Sequence, residues 1–152
     1  MNNKLKQALT GAVLMFAATN IAHAENLKNM TVYKTPWCGC CKVWAEAMQK
    51  AGYKIEVKDM DDLSLTKRQA GVPGQLEACH TAVLGKYIIE GHVPLQAIEK
   101  LQNENPNVRG IAVAGMPMGS LGMGYDPNAR YDVMSFTYSK SEKPALFYEA
   151  GK

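Results

Sequence analysis

Apolar and polar positions change period several times along this chain, and each change marks an element. Met30 to Lys34 predicts a short strand, which Thr35-Pro36 ends because Pro36 has no N–H to give a ladder. From Gly39 to Ala51 the pattern turns helical. Val43, Trp44, Ala47, Met48 and Ala51 fall on one face, and Lys42, Glu46, Gln49 and Lys50 fall opposite. Gly52 supplies the stop. Tyr53, Ile55 and Val57 then alternate with Lys54, Glu56 and Lys58, the pattern of a half-buried strand.

A second helix is expected from about Leu63 to Ala70, with Asp61 or Asp62 as its cap and Gly71 as its stop. Residues 72–78 read as a loop. His80 to Leu84 and Tyr87 to Glu90 are apolar runs separated by Gly85-Lys86, a two-residue hairpin signal. Pro94 suits the first turn of a third helix with Leu95, Ile98 and Leu101 inward, ending over Asn103 to Asn107. Ile111 to Ala114 is a short apolar run. Gly115 to Gly124 reads G-M-P-M-G-S-L-G-M-G, has no periodicity and predicts a loop. Met134, Phe136 and Tyr138 alternate as a strand, and Ala145 to Tyr148 is expected to pair back. The order β-α-β-α-β-β-α predicts a single α/β domain with a Gly/Met-rich loop and C-terminal strands.

The start of the chain is a different kind of segment. Lys4 and Lys6, the apolar run Ala8 to Ala18 and the A-x-A site Ala22-His23-Ala24 have the form of a signal peptide. Residues 1–24 are therefore expected to be removed on export, leaving 25–152 as the folded domain, which is large enough for one core. The run is too short and Ala-rich for a good membrane span, and no later segment is long enough for one. Loss of Lys4 and Lys6 lowers the formal net charge from +3 to +1. With no basic cluster and no aromatics interleaved among Lys or Arg, nothing points to nucleic acid. No feature argues for an oligomer.

The candidate chemistry is W-C-G-C-C at Trp37 to Cys41, at the junction of the first strand and first helix. A helix N-terminus favours a thiolate over a thiol, and C-x-x-C spacing adds to the effect. Cys38 is thus the candidate reactive sulfur and Cys41 its partner, with Cys40 between them and a fourth thiol at Cys79. In an oxidising compartment four cysteines can also be two structural disulfides. Three of these four lie within four residues, so they cannot cross-link distant parts of a fold.

W-C-G-C-C resembles the W-C-G-P-C of thioredoxins, with Cys40 where that family has proline. That resemblance implies a thioredoxin-like fold, in which the residue entering the third strand faces the C-x-x-C. The matching position falls near Cys79-His80, while the Val-Pro usual there is displaced to Val72-Pro73. The segments T-P-W-C-G-C-C-K-V-W, A-C-H-T-A, Y-I-I-E-G-H-V-P, V-R-G-I-A-V-A-G-M-P-M-G-S and the Y-D-V tail, in this order, resemble the exported bacterial copper-resistance proteins of CopG type. What this implies is a periplasmic thioredoxin-like domain whose cysteines bind copper, with a copper carrier or efflux system as the expected partner. Leu121 departs from the proline that the family often has in the Met loop.

Ligand chemistry leads to the same metal. Thiolate and thioether select Cu(I), and closely packed cysteines can bridge several copper ions. Structural zinc sites usually pair two separated C-x-x-C knuckles, whereas this chain has one cluster and a lone Cys79. Met116, Met118 and Met123 lie in the Gly-rich loop as candidate thioether ligands, or as a lid packed over the site. Met48 is expected in the core. His80 adjoins Cys79 and is a candidate ligand, although in a regular strand the two would face opposite sides. His92 is a ligand candidate or a satisfied structural histidine, and Trp37 is expected to shield the thiols. Three functions are then open: copper binding with copper/thiol redox chemistry, thiol-disulfide exchange by Cys38 and Cys41, or a domain held by two structural disulfides.

Overall fold

A computed structural model describes residues 28–139 and 141–152. The signal-peptide expectation for residues 1–24 lies outside the described residues. The elements are β1 (Asn29–Lys34), α1 (Gly39–Lys50), β2 (Lys54–Asp59), α2 (Ser64–Ala70), a 3-10 turn (Gly74–Leu76), β3 (Thr81–Leu84), β4 (Tyr87–Glu90), α3 (Leu95–Glu104), β5 (Gly110–Ala112), β6 (Tyr131–Phe136) and β7 (Ala145–Ala150). The first seven regular elements follow the β-α-β-α-β-β-α order of the thioredoxin-like expectation.

All strands join one seven-stranded sheet in the order β2-β1-β3-β4-β5-β6-β7. β1 runs parallel to β2 and antiparallel to β3, and β3 is antiparallel to β4. The C-terminal segment is not a mere appendage. β5 adds parallel to β4, and β6 and β7 follow antiparallel. Between Val133 and Met134 the pairing with β7 shifts, Val133 facing Tyr148 and Met134 facing Leu146, which leaves Phe147 of β7 as the extra residue of a bulge.

Neighbouring residues Ile88 and Ile89 point to opposite faces and belong to separate cores. On one face Trp44, Met48, Ile98 and Leu101 of α1 and α3 pack on Val32, Ala82, Ile89, Ile111 and Val133. On the other, Ala70, Val72 and Leu76 cover Ile88, Ala112 and Phe136. The buried stripe of α1 is Cys41, Trp44, Ala45 and Met48, one residue set at i, i+3, i+4, i+7. This corrects the helix phase expected from sequence, since Val43 is half-exposed. The phase matters because it turns Cys41 inward. Trp44 is fully buried, and its indole Nε1–H donates to the Val93 carbonyl at 2.9 Å, tying α1 to the β4–α3 connection.

β2 is an edge strand, so it is mostly exposed rather than half-buried. The Asp62 carboxylate accepts the Ser64 N–H at 2.8 Å, and Gly71 ends α2 with a left-handed φ of 77°. Among the described residues no helix is long and apolar enough to cross a membrane.

Gly110 begins β5 where three strands close together. A Cβ there would collide with the Ile88 carbonyl oxygen and lie 2.8 Å from Phe136 Cζ. Gly110→Ala is therefore expected to cost about 2 kcal/mol or more in urea denaturation. A stability within about 0.5 kcal/mol of the parent chain would contradict this packing.

Candidate metal centre

The site forms at the sheet end where β1 finishes and β3 begins. β1 hands over to α1 through Thr35-Pro36-Trp37, with Cys38 at the N-cap in extended conformation and no side-chain cap. The uncapped helix start adds the positive end of its dipole to the sulfurs around it. Cys38 and Cys41 are joined as a disulfide, while Cys40 and Cys79 are free. Cys40 Sγ lies 3.5 Å from Cys38 Sγ. The four sulfurs of Cys38, Cys40, Cys41 and Cys79 all lie within 4.8 Å of one another.

Cys79 also belongs to a second group. Its Sγ is 3.1 Å from His92 Nε2 and 3.4 Å from His80 Nδ1. The side chains of Cys79, His80 and His92 offer ligand atoms within the same 4.8 Å of each other. The expectation that His80 turns away from Cys79 fails, because the strand starts only at Thr81 and the chain bends at Cys79. Strand alternation does not extend to a bend.

The hairpin explains the place of His92. The two-residue turn at Gly85-Lys86 pairs Leu84 with Tyr87 and Thr81 with Glu90. Carried two residues further, that register sets His80 opposite Gly91 and Cys79 opposite His92. The Gly91 N–H indeed donates to the His80 carbonyl at 2.9 Å. The turn length was legible in the sequence, and it is the signal that joins His92 to Cys79.

Ser120 is a site residue that the sequence did not reveal. Its hydroxyl donates to the Pro117 carbonyl at 2.6 Å and stands 3.2 Å from His92 Nδ1. A hydroxyl has one proton, so its oxygen accepts from His92 Nδ1–H. This network assigns the tautomer in which His92 Nε2 carries a lone pair toward Cys79. An imidazole held in this way by its other nitrogen is the usual arrangement of a metal ligand. His80 is fully buried against Trp44, ring centroids 4.4 Å apart. Its Nε2 has no hydrogen-bond partner among the described residues. Burial, then the charge of His92 and of Lys67, hold His80 well below its ordinary range, and burial lowers His92 as well. Both imidazoles are thus neutral at pH 7, the form that binds metals.

The Gly/Met loop closes over this end of the sheet. Ala78 bridges to Gly115 in parallel, and a Cβ on Gly122 would lie 2.7 Å from the Cys40 carbonyl oxygen. Gly122 takes φ 99°, which glycine alone tolerates readily. Met116 and Met118 are 52% and 77% exposed, and Met123 is half-buried. Trp37, expected to shield the thiols, is instead 71% exposed, and the loop is what packs on the first turn of α1.

Residues 76–123, which span Cys79, both histidines and the Met loop, match a family model described as a protein of unknown function, DUF411. A solved structure named copper resistance protein CopG, form 1, is 34% identical, over 82% of this chain and 98% of that chain, with a TM-score of 0.73. The chain belongs to the CopG family. Form 2 of the copper resistance protein CopG is 35% identical, over 80% and 96% of the two chains, with a TM-score of 0.72. No curated protein matches the chain.

Burial, then the charge of nearby Cys40, push the Cys79 thiol up to about 12. Alkylation follows the thiolate, so with the disulfide intact Cys79 labelling is expected to rise about tenfold per pH unit from 7 to 10 without a plateau. A plateau near pH 8.5 would show an unshifted thiol. By the same sign, any metal that binds Cys79 must displace a proton and binds more tightly as pH rises.

Proposed function

We propose that this protein binds copper for copper resistance in the periplasm, holding Cu(I) on Cys38, Cys40, Cys41 and Cys79. The single observation that carries the reading is the convergence of four sulfurs on one helix start, with Cys79 shared by two neutral imidazoles. Soft thiolates and imidazole suit Cu(I), whereas a hard cation would want carboxylates that the group lacks. Family membership gives the same direction. Reduction of the Cys38–Cys41 disulfide by two electrons raises the free thiols from two to four, so the full site belongs to the reduced protein. Sulfurs this close together can bridge more than one ion. His80 Nδ1, 3.4 Å from the Cys79 sulfur, and His92 Nε2, 3.1 Å from it, would add nitrogen ligands beside that sulfur. Met116, Met118 and Met123 stand on the neighbouring loop as thioethers for arriving or leaving copper. The partner would be a periplasmic copper carrier or efflux system.

A second reading is thiol-disulfide exchange. It is favoured by the Cys38–Cys41 disulfide at an uncapped helix start, with Cys40 3.5 Å from Cys38. Cys41 is fully buried, so an incoming thiolate would attack Cys38.

Titration of the reduced protein against a Cu(I) chelator is the test. Two or more coppers are expected to be retained per chain. Cys79→Ser is expected to lower affinity by more than about 100-fold, and Ser120→Ala by about 10-fold through loss of the His92 orientation. No retention by the reduced parent protein would overturn the copper reading. Reduction of a peptide disulfide at the same rate by parent and Cys79→Ser proteins would then support the exchange reading.

A further inference from the structure

A buried ion pair lies beneath the Cys79 segment, and neither proposed chemistry uses it. Glu90 is fully buried at the end of β4, and Lys67 of α2 is 6% exposed. Lys67 Nζ is 2.5 Å from Glu90 Oε1 and 3.1 Å from Thr81 Oγ1. The Thr81 hydroxyl donates to Glu90 Oε2 at 2.6 Å. One further donor completes the set: the Ala78 backbone N–H donates to Glu90 Oε1 at 2.7 Å.

Apolar residues of similar volume usually stabilise a core as well as a buried pair does, or better. Stability alone therefore gives no reason for a lysine and a glutamate here. What the pair does that apolar residues cannot is hold the backbone one residue before Cys79. Ala78 is not in a strand, and its only ladder partner among the described residues is the isolated bridge to Gly115. It is also tightly seated. A Cβ on Gly91 would lie 2.5 Å from Ala78 Cβ and 2.6 Å from the Val113 carbonyl oxygen. The run Glu90-Gly91-His92 thus touches the bend at three successive points: the Ala78 N–H, the His80 carbonyl and the Cys79 sulfur.

We propose that Glu90, fixed by Lys67 and Thr81, is a positioning residue that sets the Cys79 sulfur between the α1 cysteines and the two histidines. The inference deepens the copper reading and rests on it for its effect on metal. Lys67 sets the carboxylate in place and cancels its charge, and the carboxylate oxygen sets the Ala78 backbone. The Cys79 Sγ then falls within reach of Cys40 on one side and His92 on the other. Without the acceptor, the bend at Cys79 is free to relax.

Two paired variants separate positioning from packing. Lys67→Met with Glu90→Gln removes the charges and keeps a side-chain oxygen for the Ala78 N–H. Lys67→Met with Glu90→Leu removes charges and acceptor together. Three quantities are read: the thermal midpoint, Cu(I) affinity after reduction, and Cys79 alkylation relative to Cys40 in the unreduced protein. The leucine pair is expected to fold with a lowered midpoint, since the Thr81 hydroxyl and the Ala78 N–H lose their acceptor, to lose about tenfold or more in Cu(I) affinity, and to alkylate Cys79 several-fold faster relative to Cys40. The glutamine pair is expected to stay within about threefold of the parent on both ratios. Equal behaviour of the two pairs, whether both unchanged or both impaired, would overturn the proposal. If the leucine pair fails to fold, Thr81→Val decides, since it removes the hydroxyl that holds Oε2 and accepts from Lys67 Nζ while keeping the carboxylate and its volume: faster Cys79 alkylation supports positioning, and an unchanged ratio overturns it. If the parent protein itself binds no copper, the copper reading falls, and the alkylation ratio still judges the position of Cys79.

Discussion

The antiparallel pairing of β3 with β1 on one side and with β4 on the other fixes where the chemistry of this protein sits. β1 ends at the sheet edge where α1 starts, so its outgoing connection carries Cys38, Cys40 and Cys41. β3 runs the opposite way and begins at that same edge, so Cys79 and His80 arrive beside them. β4 returns to it and delivers Glu90, Gly91 and His92. β5 runs parallel to β4, and the loop that follows it carries Gly115 to Gly124 over the same end. A shift of one residue in the β3–β4 register would turn every β4 side chain to the other face. It would part His92 from Cys79 and Glu90 from Ala78 together.

Cys79 stands at the centre of the arrangement because it belongs to both donor groups. Toward α1 its neighbours are sulfurs under a helix dipole, one pair of them stored as a disulfide. Toward the hairpin its neighbours are neutral imidazoles, one oriented by Ser120 and one buried with a nitrogen that has no partner among the described residues. Its own proton is held by burial, which slows the reaction of the thiol with small electrophiles at neutral pH. A soft cation can displace that proton more readily than an alkylating agent does, because coordination by several donors offsets the cost. The proposed copper site and the proposed exchange chemistry draw on the same Cys38 and Cys41, so metal and disulfide are alternative states of one centre.

Much of this was legible in the residues. Thr35-Pro36, Gly52, Gly71 and Gly85-Lys86 punctuate the first seven elements because proline lacks the N–H a ladder needs and each of these glycines takes the positive φ of a stop or turn. The cysteine cluster announced itself by spacing. Other features depend on tertiary contacts. β5 has three residues, Gly110–Ala112, and exists only because β4 and β6 flank it. Val43 was read as inward because valine is apolar, yet the phase of α1 is set by Cys41, Trp44, Ala45 and Met48 docking on the sheet. His80 was a candidate ligand that a regular strand would have turned away from Cys79, and the bend at Cys79 removes that condition. Ser120 and Glu90 had no signal of their own. A serine in a glycine-rich loop and a glutamate ending an apolar strand look like surface residues until their buried partners are known.

X-ray absorption at the copper edge of the reduced, copper-loaded protein tests the central claim most directly. Cu(I) is expected with nearest neighbours dominated by sulfur and a minor imidazole contribution that falls in His92→Ala and is lost when His80 is replaced as well. A site built from nitrogen and oxygen neighbours, or a sulfur site unaffected by Cys79→Ser, would contradict it.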